Sequence, residues 1–184
     1  MKRQLNSHMF EAVYKGLKIN LDTLGCIMLD IEPKNIHIPS LGWLYYAKDK
    51  KKFWIDGYVF NKVAHLTLLY GLLDSGKKWE KHIKEVLKGW EFNTVVVESI
   101  GYFDSPYKDE PYYCIVAHIK VTEPLLEGHQ RLEFLPHINT FNGYKPHITL
   151  AYVKKKGYIK DDVIRIFSSL IGKRLKVKSL NYGK

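Results

Sequence analysis

The apolar positions alternate between two rhythms, one of period two and one of about three and a half, and together they outline a mixed domain. Leu24 to Ile31 is a mostly apolar run that reads as a buried strand, ending before Glu32-Pro33, where proline disfavours helical continuation. Trp43 to Lys48 is a second strand candidate. Trp79, Ile83, Val86, Leu87 and Trp90 recur at helical spacing, predicting an amphipathic helix over residues 78–88 that closes near Gly89. Asn93 to Tyr102 and Pro111 to Val121 are β-rich runs joined by turn-forming residues, hence an antiparallel hairpin with a long loop. Thr122 can cap a helix that runs through Leu125, Leu126, Leu132 and Leu135 and stops before Pro136, with Gly128 as its weak point. Asp161 and Asp162 favour the start of a last helix with Val163, Ile166, Phe167 and Leu170 inward, ended by Gly172. Arg174, Lys176 and Lys178 then alternate with Leu175 and Val177, a final strand with one basic face.

At the start, Met9, Phe10, Val13 and Leu17 make a modest apolar stripe, so residues 1–22 read as a short helix or a loose arm, and residues 23–184 as a single domain. The order of elements is α+β. A chain of 184 residues that is 46% hydrophobic is long enough for one sizeable core.

Charge changes this picture. There are 29 basic residues against 19 acidic, a net +10, and only four of the basic residues are Arg. Lysine acts as a point charge, so the field suits attraction of phosphates more than bidentate reading of bases. An ordinary solvated lysine-rich surface accounts equally well for it. Cys26 and Cys114 each lie in an apolar run and are expected as buried free thiols in a reducing compartment. The start lacks the apolar stretch of a secretory signal, and no run is long enough to span a bilayer, so a cytoplasmic protein with no membrane partner is expected.

Two stretches then answer each other. Ala64-His65-Leu66-Thr67-Leu68-Leu69-Tyr70-Gly71 recurs in outline as His147-Ile148-Thr149-Leu150-Ala151-Tyr152-Val153, with His, Thr, Leu and Tyr in register. Each copy is a strand candidate, and the two-residue step from His to Thr puts both polar side chains on one face. One His-x-Thr among eight histidines means little, but two copies on matching strands indicate an internal duplication. Two imidazoles and two hydroxyls in one cleft supply a general base, a general acid and donors to an anionic group, enough for phosphoester chemistry without a metal. A two-histidine metal site is the rival reading; no matched cysteine or carboxylate cluster accompanies it, and threonine is a poor zinc partner. His118 reads as structural, and His129 and His137, without a repeated motif, as solvated or structural. A loop with Asn139, Asn142 and Gly143 delivers the second motif.

The paired motifs resemble the signature of the two-histidine phosphoesterase superfamily, which includes 2′-5′ RNA ligase-like proteins and cyclic nucleotide phosphodiesterases; the likeness runs from about Leu24 to Val153. It implies two pseudo-symmetric lobes whose antiparallel sheets form a central cleft, with His65, Thr67, His147 and Thr149 catalytic and neither metal nor cofactor. The segment from Glu32 to Phe60 departs from the compact family pattern and reads as an insertion bordering the cleft. Trp54 within it, and Lys145 before the second motif, are the candidates for base and phosphate contacts. The chain is also similar to phage-encoded anti-CBASS phosphodiesterases that destroy cyclic oligonucleotide signals of bacterial immunity. Hydrolysis of a cyclic di- or oligonucleotide is therefore the leading expectation. Processing of RNA ends through 2′,3′-cyclic phosphates or 2′-5′ ligation, and a non-catalytic nucleotide sponge, are the alternatives. Which histidine is the acid is left open.

Overall fold

The computed structural model describes residues 23–32, 36, 64–105, 112–139, 142–155 and 159–183, together with the backbone of 11–14 and 17–20. Trp54, the strand expected at residues 43–48 and the Lys50-Lys51-Lys52 run lie outside the described residues.

The elements follow in the order β1 (Glu11–Tyr14), β2 (Leu17–Asn20), β3 (Gly25–Ile31), β4 (Ala64–Leu72), α1 (Glu80–Val86), β5 (Thr94–Asp104), β6 (Tyr112–Ile119), α2 (Glu123–Leu132), β7 (His147–Lys154), α3 (Ile159–Phe167) and β8 (Arg174–Gly183). Six strands close into an antiparallel ring in the order β3-β4-β7-β6-β5-β8. The ring divides into two three-stranded halves, β8-β3-β4 and β5-β6-β7, which meet at the seams β4–β7 and β5–β8. These halves are the two lobes, joined into one closed sheet.

Alternation along the strands decides what each face does. In β3, Gly25, Ile27, Leu29 and Ile31 are buried, while Cys26, Met28 and Asp30 between them are only partly covered. Leu29, Leu66, Ile115, Ala117 and Ile148 share one cluster with Ile83 of α1, Leu125 and Leu132 of α2, and Val163 and Phe167 of α3. Helices do not fit inside a six-stranded ring, so they seal its outer face and leave the partly covered positions lining the interior. Leu66 and Ile148 are fully buried, and truncation of either to Ala costs about 2–5 kcal/mol.

Five expectations are corrected in detail. Residues Glu11–Tyr14 and Leu17–Asn20 pair as an antiparallel hairpin and not as a helix. Two short β-prone runs, Ala-Val-Tyr and Leu-Lys-Ile, flank Lys15-Gly16, and mutual backbone pairing satisfies them better than one sparse helical stripe. The first helix begins at Glu80, after a turn through Ser75 to Lys78. The second ends at Leu132, yet Leu135 beyond it is still buried while Phe134 points into solvent. In α3 the inward stripe is Val163, Phe167 and Leu170, with Ile164 packed beside them, and Ile166 is 39% exposed. The weak point expected at Gly128 is a close approach: a Cβ there would lie 2.4 Å from the Trp90 ring, whose Nε1 donates to the Pro124 carbonyl at 2.8 Å.

Candidate active site

The two motif strands are adjacent in the ring, and they touch at a single antiparallel pair, Leu66 with Ile148. Both of these side chains point into the core. The neighbours on either side, His65 and Thr67 on β4 and His147 and Thr149 on β7, therefore point to the opposite face, and all four are half-buried. In that register His65 falls opposite Thr149, and Thr67 opposite His147. A local two-fold through the Leu66–Ile148 pair relates histidine to histidine and threonine to threonine.

The burial rhythm is the same in both strands: His, Thr and Tyr half-buried, and the residues between them buried. The tyrosines, three places after each threonine, would leave this face if the period were strictly two. A register shift between Ile27 and Met28 against β4, and another between Ile115 and Val116 against β7, inserts one extra residue in each motif strand and returns Tyr70 and Tyr152 to it.

The duplication reaches further than the motifs. Cys26-Ile27-Met28-Leu29-Asp30-Ile31 on β3 corresponds to Cys114-Ile115-Val116-Ala117-His118-Ile119 on β6, and each cysteine pairs with the tyrosine of its neighbouring motif. Ser179-Leu180-Asn181-Tyr182 on β8 likewise corresponds to Ser99-Ile100-Gly101-Tyr102 on β5. Both cysteines are partly buried, and burial pushes the Cys26 thiol up. Cys114 Sγ is 3.8 Å from Thr149 Oγ1.

His118, expected as structural, lies on β6 beside the second motif strand. It stands across from His147, and the Phe103 ring lies edge-on to both, 5.9 Å from His118 and 5.1 Å from His147. Burial holds His118 below the ordinary histidine value, the charge on His147 adds to this, and Glu98 opposes it. The Cys-Ile-x-x-x-Ile repeat was the signal in the sequence that marks it. His147 Nδ1 donates to the Lys145 carbonyl at 2.9 Å, which leaves Nε2 as the nitrogen able to work in the cleft.

Beyond the single contact pair, β4 and β7 part. The carbonyls of Thr67 and Leu68 are met instead by side chains: the Tyr144 hydroxyl donates to Thr67 at 3.3 Å, and His129 Nδ1 to Leu68 at 2.6 Å. The His129 and Tyr144 rings stack at 4.0 Å, and burial pushes the Tyr144 phenol far up. Further along, Ile138 N–H donates to the Gly71 carbonyl at 2.8 Å, so the chain before β7 lies against the end of β4. The gap is a cavity of about 660 Å³. Thr67, Phe103, His137, Asn139, Asn142, Lys145 and His147 are among its walls. Of the residues expected from the sequence, Thr67, Lys145 and His147 thus border one pocket, while His65 and Thr149 are not among its walls. Phe103, Asn139 and Asn142 carry no repeat and gave no such signal. Among the described residues no three His, Cys, Asp or Glu side chains gather as a metal site, and no helix is long and apolar enough to cross a membrane.

A family model described as the 2′-5′ RNA ligase superfamily matches residues 45–182. Two solved structures of Usb1 from Kluyveromyces marxianus, the second with uridine monophosphate, are similar to this chain at 12% identity and a TM-score of 0.45. The alignments cover 87% and 88% of this chain and 97% and 98% of theirs. No curated protein matches the chain in sequence.

Proposed function

The chain belongs to the 2′-5′ RNA ligase superfamily and is a two-histidine enzyme of phosphodiesterase type; on that premise we propose that it cleaves small nucleotides without a metal, using His65, His147, Thr67 and Thr149. The observation that supports this reading is the single pair Leu66–Ile148, which sets both histidines and both threonines around one point of a half-covered face. One imidazole takes the proton of the attacking oxygen and the other gives a proton to the leaving oxygen. The two hydroxyls donate to the non-bridging oxygens, where negative charge grows as phosphorus becomes five-coordinate. Lys145 adds a positive charge on the pocket side, and the cavity beyond Thr67 and His147 has the size of a nucleoside site.

Within that class the substrate we propose is a cyclic di- or oligonucleotide, as in evasion of bacterial immunity by a phage. The second reading, hydrolysis of 2′,3′-cyclic phosphates or ligation at RNA ends, is favoured by the family's own description. The deciding experiment is chromatographic. The protein is incubated in EDTA with cyclic dinucleotides, cyclic trinucleotides, 2′-5′ oligoadenylate and 2′,3′-cyclic nucleotides, beside a His65→Ala, His147→Ala double variant. Turnover of a cyclic oligonucleotide by wild type alone is expected. Turnover confined to 2′,3′-cyclic ends selects the second reading, and binding without conversion makes the protein a sponge. Loss of activity in EDTA, restored by a divalent ion, overturns the metal-free chemistry.

A further inference from the structure

The duplication is not perfect where it matters most. Across from His65 stands Asp30, and at the equivalent place across from His147 stands His118. Directly opposed residues on one face of antiparallel strands have Cβ atoms about 4.5–5.5 Å apart. The Asp30 carboxylate is held from behind by β8: Asn181 Nδ2 donates to its two oxygens at 3.0 and 3.3 Å, and Ser179 Oγ donates to Oδ2 at 3.3 Å. In the other half Gly101 takes the place of Asn181, and the missing side chain makes room for the imidazole; a Cβ on Gly101 would lie 2.6 Å from His118 Nε2.

Resting on the reading of the two motif histidines as the acid–base pair, we propose that Asp30 is a positioning residue that keeps His65 as the imidazolium, which makes His65 the general acid and His147 the general base.

Among the described residues the surrounding charges favour this division. The donors to Asp30 are neutral groups, and the carboxylate stands in register opposite His65. Glu32, at the end of β3, is matched by Lys176 at 3.3 Å. On the His147 side the pocket carries Lys145, Asp104 and Glu133. Asp104 is paired with Lys155 at 2.6 Å, and Glu133 lies 3.6 Å from His129 Nε2. Across the strand His147 meets a second imidazole, His118, on which Glu98 acts from β5.

In the step itself His147 Nε2 takes the proton from the attacking water or ribose hydroxyl as that oxygen bonds to phosphorus. The bond from phosphorus to the leaving oxygen breaks, and His65 gives its proton to the electron pair left there. His147 ends charged and His65 neutral, and exchange with water restores both.

Two measurements test the assignment. The first compares His65→Ala and His147→Ala on a natural nucleotide and on a p-nitrophenyl nucleotide ester, whose leaving group needs no proton. The His65 variant should lose at least about a hundredfold on the natural substrate and recover to within about tenfold of wild type on the ester. The His147 variant should fail on both. Recovery of the His147 variant instead, or of neither, overturns the proposal. The second follows the His65 imidazole by NMR in wild type and Asp30→Asn. Titration above the ordinary histidine range, falling by about one pH unit in the variant, is expected. An ordinary wild-type value, or no change in the variant, overturns the role of Asp30 whether or not the variant is fully stable. If wild type turns over no phosphodiester, the proposed function fails, and the NMR comparison still decides the Asp30–His65 coupling.

Discussion

The half built from β8, β3 and β4 and the half built from β5, β6 and β7 are two versions of one design, and their differences separate what the site needs from what it tolerates. Both retain His and Thr on the inner face, a bulge in the same place, a tyrosine after it and a cysteine across from that tyrosine. They diverge at Asp30 with Asn181 against His118 with Gly101, and at the strand ends, where Gly71 corresponds to Val153. Shared features set up a two-fold array of proton donors and acceptors. In the proposed mechanism the divergent ones make it directional, as a reaction with one entering and one leaving oxygen requires.

The largest test of the comparison is removal of the shared groups. His65→Ala and His147→Ala should each lower turnover by about a hundredfold to ten-thousandfold at neutral pH. Near-normal rates in both single variants would dissolve the equivalence. Thr67→Val and Thr149→Val should each cost roughly a hundredfold in kcat, the lower end of what a lost donor to a developing charge costs. A loss confined to KM would assign the hydroxyls to ground-state binding.

Smaller effects come from the unmatched positions. Gly71 has φ +96°, and a Cβ there would lie 2.2 Å from the Ile138 carbonyl oxygen. Gly71→Ala should therefore lower stability by about 1–3 kcal/mol, read from denaturant midpoints, while Val153→Ala loses side-chain packing without backbone strain. The contrast would vanish if residues 136–138 did not lie against β4.

The smallest effect is in pH dependence. Folding holds His118 below its ordinary value of 6.5, mainly by burial. The unfolded chain then binds a proton that the folded chain refuses, so His118 lowers stability as pH falls below that value and has no effect above it. His118→Gln should flatten the decline of the unfolding midpoint between about pH 7 and pH 5 relative to wild type. An unchanged slope would remove His118 from the titrating set.

Much of this was legible in one dimension. The amphipathic helices, the β5–β6 hairpin and β8 were announced by period and by turn residues, because burying one face imposes a rhythm on the chain wherever the element is long. Two four-residue strands hold too few positions to fix a period, so in one dimension the N-terminal hairpin resembles a helix or a loose arm. The His-x-Thr pair was legible because the two copies keep the same residue types at the same spacing. The Cys-Ile-x-x-x-Ile repeat was equally present, yet its polar position changed from Asp30 to His118, and that change concealed it.

The sequence by itself determined the α+β class, the two motif strands and the chemistry those residue types can carry, since side-chain order and spacing are local properties. Tertiary structure alone decided that the motifs meet at Leu66 and Ile148, that Phe103, His137, Asn139 and residues 142–145 wall a cavity beside them, and that Asp30 faces one histidine and His118 the other. Those contacts join strands far apart in the chain, and their pairing is set by closure of the ring and burial of its outer face, which no single segment encodes.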